Sequence, residues 1–326
     1  MRRRTLFSAL RSHWIIVAGL VGVAALIVAV DPRQVAGALE GANPVALAAM
    51  LPVVLLLYFF HSVAWWIALR GVGVDVSLRQ AVRVTFISQA FDVVPGGDLW
   101  RVPILRPTKS GRLDVGMVAA AVIFDDLAYF LVLSLTMVPA AIEYPIVRAP
   151  FAIALAPQIA IFTVLLWPRL YDPLVAWVTR MALFRRFAPQ LALLGPSVRR
   201  LVKPSVAVPI LMADAVCSAL AISLYGLAVV AVHAGGVGVP QVAFIYASGQ
   251  VLSGLTVLPG ALGVYEGMMT GLLAVQGVAV ATAAAAALLY RSVNDLLMAL
   301  IGAVVAFFSS ARGARQPGAM RGAELR

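Results

Sequence analysis

The chain has 326 residues, of which 62% are hydrophobic and 12% are charged. An ordinary soluble domain carries roughly twice that charged fraction. The composition therefore excludes an ordinary soluble domain and indicates an all-helical polytopic membrane protein. The net charge of +11 does not indicate nucleic-acid binding, because the basic residues lie in short segments between apolar runs, where they set membrane orientation. One cysteine and three scattered histidines do not make a disulfide framework or a zinc site, and we expect no metal and no cofactor.

Six apolar runs are long enough to cross a bilayer, which takes roughly 17 to 25 helical residues. They are residues 14–30, 45–69, 115–138, 149–167, 206–232 and 279–308. The first run is too long for the core of a signal peptide and is followed by no small-residue cleavage site, so we expect an uncleaved span. Three shorter runs, 81–94, 243–258 and 262–276, are predicted to form arms of re-entrant hairpins.

The basic residues predict the orientation of these spans. With the N-terminus in the cytoplasm, 22 of the 25 Lys and Arg residues fall in predicted cytoplasmic segments. Only Arg33 and Arg148 fall outside, and Arg291 lies within the last span. The positive-inside rule therefore predicts that both termini are cytoplasmic, in what we expect to be the inner membrane of a bacterium.

A helix break at Pro259-Gly260 is the first candidate site. Proline removes a backbone donor and glycine accepts almost any backbone angle, so a helix should stop here. After the break, glycine recurs every four residues at Gly263, Gly267 and Gly271, which predicts a face that another backbone can touch. Glu266 lies in the same turn, and a carboxylate in an apolar region should face the protein interior or a water-filled cavity.

A second break, at Pro95-Gly96-Gly97, repeats this plan. Asp98 and Arg101 follow it, and the similarity extends upstream, from Phe86-Ile-Ser-Gln89 to Tyr246-Ala-Ser-Gly-Gln250. In the predicted topology, units 45–138 and 206–308 are inverted copies, each with one hairpin. Inverted repeats with broken helices are typical of alternating-access carriers, although two kinks that serve packing alone remain an alternative.

The last span contains a charged turn. Arg291 and Asp295 are four residues apart, so they share a helix face and can pair, with Asn294 adding hydrogen bonds and Glu266 as a second partner. This cluster either neutralises itself or releases Arg291 to bind a phosphate, a task that suits a planar guanidinium.

Asp125 and Asp126 lie in the middle of the span 115–138, where buried carboxylates are candidate proton carriers. Adjacent residues point in different directions on a helix, so we expect at most one of them on the Arg101 side. Asp92 and Asp214 are weaker candidates, and His61 is interpreted as a packed or interfacial histidine.

The polar segment 169–204 interleaves aromatic and arginine residues and predicts one or two helices on the cytoplasmic face, held there by anionic lipids. A topogenic loop without a binding role is the alternative. We expect one integral membrane domain at 1–312 and a disordered basic tail at 313–326.

The sequence contains no nucleophile-elbow, Walker or metal-binding histidine motif, so no enzyme is predicted. A membrane-embedded transferase that uses Asp98 and Arg101 on an activated lipid phosphate remains open.

At Pro95-Gly-Gly-Asp-Leu-Trp-Arg101, Pro259-Gly-Ala-Leu-Gly-Val-Tyr-Glu-Gly267 and Tyr290-Arg291, the sequence resembles the lysylphosphatidylglycerol synthase transmembrane region family of flippase-like proteins. The resemblance spans nearly the whole chain and implies the lipid-translocating half of such proteins without their aminoacyl-transferase domain. Family members commonly carry an acidic-arginine pair where this chain has Phe124-Asp-Asp-Leu127. Relatives are associated with phospholipids, hopanoids and polyprenyl-linked sugars, which leaves the headgroup open.

We therefore expect a translocase for an anionic lipid, or alternatively a non-transporting membrane partner of a lipid-modifying or glycan-assembly enzyme. The predicted substrate-binding residues are Arg101, Arg291, Glu266, Asp98, Gly96, Gly260, Gln89 and Gln250. The helix N-termini after both breaks should bind the phosphate. Asp125, Asp126 and Asp295 are predicted as proton or counter-charge groups.

Overall fold

The computed structural model describes residues 32–91, 97–105, 114–143, 145, 148–181, 184–254 and 263–314. Every regular element within these ranges is helical. Several predicted features lie outside the described residues: the first span at 14–30, Asp92, both Pro-Gly breaks at Pro95-Gly96 and Pro259-Gly260, and residues 315–326 of the predicted tail.

The first half of the chain contains α1 (Pro32–Glu40), α2 (Pro44–Gly71), α3 (Leu78–Gln89), a 3₁₀ turn (Gly97–Trp100), α4 (Arg101–Ile104), α5 (Val115–Leu135), α6 (Val138–Glu143) and α7 (Arg148–Leu166). The second half contains α8 (Pro168–Val178), a 3₁₀ turn (Arg185–Phe187), α9 (Ala188–Leu201), α10 (Pro204–Ala231), α11 (Val239–Gly254), α12 (Val264–Val275), α13 (Val280–Arg291), a π-helical turn (Ser292–Leu297) and α14 (Met298–Ala314).

Four helical segments within the described residues are long and apolar enough to cross a membrane. They are Pro44–Gly71, Val115–Leu135, Pro204–Ala231 and Val280–Ser309. A fifth span results if Phe151–Leu166 and Pro168–Val178 are counted together, although the chain bends by 90° between them. The multi-pass prediction is confirmed, whereas the predicted number of six spans is not.

Helices α2 and α10 are alike in length and in both ends. Each helix has 28 residues and begins at a proline. A residue with positive φ follows the end of each helix, Gly73 after α2 and His233 after α10, and it lies equally far along the chain from the first proline in both cases. The C-terminal ends of α2 and α10 carry the same pair of backbone hydrogen bonds, which is the Schellman pattern. Proline suits the first helical position because its missing N–H would have no partner there.

The two helices run antiparallel and pack against each other along their length. The Asn43 N–H before α2 donates to the Ala231 carbonyl at the end of α10, at 2.8 Å. At the other end, a Cβ on Gly71 would lie 2.7 Å from side-chain atoms of Leu201 and Val206, just before and within the start of α10.

The buried apolar side chains form two clusters, and α2 and α10 contribute to both. One cluster contains the N-terminal half of α2 and the C-terminal half of α10, with α11, α12 and α13. The other contains the C-terminal half of α2 and the start of α10, with α3, α5 and α9. Where α2 and α10 pass between the clusters, they carry polar side chains, His61 and Asp214. A polar seam therefore separates two apolar cores.

Among the described glycines, Gly302 of α14 lies nearest to the backbone of another helix, α3. A Cβ on Gly302 would overlap the carbonyl oxygen of Phe86 and lie 3.1 Å from the nitrogen of Ala90. The sequence predicts that another backbone can touch α12 at Gly267 and Gly271. A Cβ added at either glycine would have no atom of the described residues within 4 Å, so no described helix covers this face and the contact stays a prediction.

The segment 169–204 forms two helices, α8 and α9, as predicted. Helix α8 leaves Leu170, Leu174 and Trp177 exposed, whereas α9 packs on α5. An exposed apolar face beside arginines is typical of a helix at a membrane interface, and that location stays a prediction.

Candidate functional site

Arg101 lies between two carboxylates at the polar seam. Its guanidinium nitrogens lie 2.5 Å from Asp98 Oδ1 and 3.4 Å from Asp125 Oδ2. The guanidinium also lies over the Trp65 ring, 5.4 Å from the ring centroid. The side chains of Arg101 and Asp125 are fully buried. A buried arginine tolerates this environment because each neighbour supplies a charge, a hydrogen bond or a π-face.

The short helix after the first break positions this arginine. The 3₁₀ turn Gly97–Trp100 presents Asp98, and α4 begins directly with Arg101, so the two residues pair across one turn. Arg101 was counted among the cytoplasmic basic residues, but the structure buries it, because helices α3 and α5 both contact the 3₁₀ turn and α4.

Arg291 also lies between two carboxylates. Its nitrogens lie 3.0 Å from Glu266 Oε1 and 2.5 Å from Asp295 Oδ2, and Asn294 donates to the other oxygen of Asp295 at 2.7 Å. The guanidinium lies 5.4 Å from the centroid of Tyr265. The expected pairs of Arg291 with Asp295 and Glu266 are therefore present. This cluster is less enclosed, since 13% of the Arg291 side chain is exposed.

The two clusters share one arrangement with the charges exchanged. In the first unit, Arg101 follows the break and its partner Asp125 lies on the next span. In the second unit, Glu266 follows the break and its partner Arg291 lies on the next span. In both units, an ion pair therefore joins the segment after a Pro-Gly break to the following span.

The second cluster lies where the last span changes its helical geometry. Ser292–Leu297 is a π-helical turn that contains Asp295, and it interrupts the α-helical hydrogen bonding between α13 and α14. Such single π-helical turns are frequent at functional sites. The turn begins directly after Arg291, so the geometry is irregular at the ion pair itself.

A carboxylate of the protein itself lies at the N-terminus of α12, where the sequence predicts a phosphate site. The Glu266 carboxylate accepts a hydrogen bond from the Gly263 N–H, at 2.7 Å, and so caps its own helix. Gly263 has φ of +82°, which favours glycine. An incoming anion would compete with Glu266 for this helix end. The helix after the first break, α4, has four residues and is too short to carry an N-terminal anion site.

The structure adds three side chains to the Arg101 cluster. His61 lies 3.6 Å from Asp98, so it is not merely a packed histidine. One oxygen of Asp126 lies within 4.8 Å of a His61 ring nitrogen and of an Asp125 oxygen, so both neighbouring aspartates reach the cluster. Asp214 is fully buried, and neither of its carboxylate oxygens has a hydrogen-bond partner among the described residues.

Two sets of side chains at this seam could hold a metal ion, although none was predicted. His61, Asp125 and Asp126 offer donor atoms within 4.8 Å of one another, and so do His61, Asp214 and Cys217. His61 and Asp214 could have been identified as site residues from the sequence, because both lie inside apolar spans. Ionisable residues in such spans are by default candidates for function.

A set of tyrosines connects the two charged clusters. The Tyr129 ring contacts His61, and the Tyr129 hydroxyl lies 3.2 Å from the Tyr246 hydroxyl. Tyr290 donates to Tyr246, also at 3.2 Å, and Tyr290 directly precedes Arg291. Hydrogen bonds therefore join the hydroxyls of these three tyrosines, of which Tyr129 contacts the first cluster and Tyr290 is the chain neighbour of Arg291.

The remaining predicted residues lie in or beside the two breaks. Gln89 is buried at the end of α3, and Gln250 is half-buried in α11. Gly97 begins the 3₁₀ turn, and Gly267 lies in α12. Pro95, Gly96, Pro259 and Gly260 lie outside the described residues.

Comparison with known protein families matches residues 15–302 to one of them, whose description is lysylphosphatidylglycerol synthase TM region. The chain belongs to this family. Both charged clusters lie within the matched residues. The search of curated proteins found no match to the chain. Membership and the apolar helices together identify a multi-pass protein of a membrane-embedded, lipid-related family.

Proposed function

We propose that this family member translocates an anionic lipid, such as a phospholipid, hopanoid or polyprenyl-phosphate species, across a bacterial inner membrane without chemical change. The observation that carries the proposal is the recurrence of one arrangement in two units, an arginine held by two carboxylates beside a broken helix. Broken helices at corresponding positions are typical of substrate sites in transporters.

The antiparallel packing of α2 and α10 supports an inverted repeat. If α2 is the first helix of one unit and α10 is the first helix of the other, the two units enter the membrane in opposite directions. The ion pairs Arg101–Asp125 and Glu266–Arg291 then occupy equivalent places in the two units. Such symmetry allows one site to be offered to either side by rocking one unit against the other. The termini are proposed to be cytoplasmic.

Arg291 is the proposed first contact for the phosphate, because its side chain is partly exposed whereas Arg101 is sealed. Glu266 and Asp295 hold the guanidinium in the empty state, and the phosphate replaces at least one of them. A guanidinium binds two phosphate oxygens at once, which an ammonium group does not.

One observation favours the alternative, a non-transporting partner of a lipid-modifying or glycan-assembly enzyme. In both clusters the carboxylates outnumber the arginines, so neither has spare positive charge for an anion. A permanently self-neutralised interior would serve as a rigid scaffold instead.

The test is a headgroup-accessibility assay on the purified protein in liposomes, with a panel of labelled anionic lipids. We expect faster movement of at least one lipid than in empty liposomes. Arg291→Lys should fold and lose most of that rate, because it keeps the charge without the two-pronged geometry. Arg291→Ala should also lower stability, because it strands a buried carboxylate. The matched control is Arg200→Lys, at an exposed position of α9.

The rate is expressed per correctly folded molecule, so that instability and lost transport are separated. Full transport by Arg291→Ala would remove this residue from the site and direct attention to Arg101. Absence of transport for every lipid, with intact protein, would favour the scaffold.

A further inference from the structure

A histidine, an aspartate and a cysteine lie together where α2 packs against α10 at the polar seam. His61 belongs to α2, whereas Asp214 and Cys217 are three residues apart on α10 and so share a helix face. One donor atom from each of the three side chains lies within 4.8 Å of the other two. Because the two helices pack along their length, the fold itself keeps these side chains together.

Asp214 is the member of this set whose hydrogen-bonding capacity is unused. Its side chain is fully buried, and neither carboxylate oxygen has a hydrogen-bond partner among the described residues. Buried polar groups nearly always have a partner in folded proteins, so an orphaned carboxylate needs an explanation. One of its oxygens faces both the His61 ring and the Cys217 sulfur. A ligand that all three side chains bind would satisfy it.

Cys217 lies against the same part of α2. Its thiol donates to the Leu57 carbonyl at 3.7 Å, and Leu57 precedes His61 by one helical turn. A buried cysteine is ordinarily a small apolar side chain. A sulfur that has both an imidazole nitrogen and a carboxylate oxygen within reach is instead placed as a metal ligand.

We propose that His61, Asp214 and Cys217 bind one divalent transition-metal ion of the zinc class, which joins α2 to α10 near the middle of both helices. Zn²⁺ takes imidazole nitrogen, thiolate sulfur and carboxylate oxygen as ligands, whereas Mg²⁺ and Ca²⁺ select oxygen. The thiol proton leaves to water as the metal–sulfur bond forms. The ligands then carry two negative charges, which match the charge of the ion.

Asp98 supports this assignment from the other side of the imidazole. His61 Nε2 lies 3.6 Å from Asp98 Oδ2. Histidines that bind metals almost always present their second ring nitrogen to a carboxylate, a carbonyl or water, which fixes the tautomer and the ring orientation. With Nε2 turned towards Asp98, Nδ1 is the proposed ligand atom. Three protein ligands leave the fourth position of a tetrahedral ion for water.

The second set of donors, His61 with Asp125 and Asp126, is the alternative place for an ion. A neutral imidazole has one acceptor nitrogen, so His61 serves one of the two sets at a time. Asp125 is already paired with Arg101, whose permanent positive charge repels a cation at that position. The alternative set also contains no sulfur, so the two sites differ in a property that spectroscopy detects.

The test is cobalt substitution of the whole chain, purified in detergent with a tag that contains no histidine and in buffer without added thiols. The chain has one cysteine, so a thiolate-to-cobalt charge-transfer absorption comes from Cys217 alone. We expect about one Co²⁺ per chain, with that absorption. X-ray absorption of the zinc form should show one sulfur at about 2.3 Å and nitrogen or oxygen neighbours at about 2.0–2.1 Å.

Two variants test the ligands one at a time. Cys217→Ser should abolish the charge-transfer absorption. In Asp214→Asn, the affinity for cobalt should fall about a hundredfold or more, because loss of a hydrogen bond to a ligand alone costs roughly 10- to 100-fold. The matched control is Asp172→Asn, at an exposed position of α8, which should bind cobalt as the wild type does.

Zinc should also raise the midpoint of thermal unfolding, because it binds the folded site and not the separated helices. The midpoint of Asp214→Asn should stay the same with and without zinc. An equal rise in folded Asp214→Asn would overturn the proposed link between α2 and α10.

The wild-type spectra decide the proposal even if a variant does not fold. Failure of the folded wild type to bind cobalt would overturn the site. Cobalt bound without the thiolate absorption would also overturn it, and loss of that binding in Asp126→Asn would assign the ion to the alternative set. None of these measurements uses a transported lipid, so their failure is distinct from failure of the proposed translocation.

Discussion

Substitution of Gly302 by alanine should loosen the contact between α14 and α3. The new Cβ would overlap the backbone carbonyl of Phe86, which, unlike the end of a flexible side chain, cannot turn away. Overpacking of this kind costs about 1–3 kcal/mol, and an immovable neighbour places the cost in the upper half of that range. Against it, replacing a mid-helix glycine gains about 0.5–1 kcal/mol. The net expectation is a loss of about 1–2.5 kcal/mol.

Gly271→Ala is the matched control, because this glycine is also inside a helix but has no described atom near the position that a Cβ would take. It should gain about 0.5–1 kcal/mol from helix propensity alone. Unfolding by sodium dodecyl sulphate in mixed micelles, followed by tryptophan fluorescence, measures both free energies. The two alanine variants should move in opposite directions. A Gly302→Ala protein as stable as the wild type would refute the close approach of the two backbones.

Three further predictions concern other parts of the molecule. Arg101→Met strands two carboxylates and should cost about 3–5 kcal/mol near neutral pH; the loss should shrink as the pH falls, because protonated carboxyls need no counter-charge. Tyr246→Phe removes the hydroxyl between two other tyrosines and should cost about 1–3 kcal/mol in the same unfolding assay. In a Cys217→Ala background, cysteines at exposed Arg79 and Gly235 should react with impermeant reagents from opposite sides; reaction from one side would contradict the inverted repeat.

The sequence alone predicted the long helices well, because hydrophobic length and terminal prolines are local signals. Helices α2 and α10 begin and end within two residues of the predicted runs. The pair of Arg291 with Asp295 was also predictable, since residues four apart share a helix face.

Contacts between distant elements were less predictable. The sequence of a helix that is apolar on every side does not show which side faces the protein interior. Sequence reasoning therefore did not reveal that His61 and Asp214 face the same seam as Arg101. The role of Glu266 as a cap depends on the backbone angle of Gly263, which the sequence suggests but does not specify. The glycine repeat after Pro259 has a related limit, since it shows which face of α12 lacks side chains but not which helix lies against that face.

The length of α2 affects how the protein fits its bilayer. A helix rises about 1.5 Å per residue, so the apolar residues 45–69 extend roughly 37 Å, against a hydrocarbon thickness of about 30 Å. A tilt of roughly 35–40° would resolve the mismatch. Because α10 packs antiparallel along α2, the two helices must tilt together. Lipids with longer acyl chains thicken the hydrocarbon layer and would reduce the tilt of α2 and α10 together. The seam between the two helices would turn with them, so hydrocarbon thickness would control the depth and orientation of the buried charges.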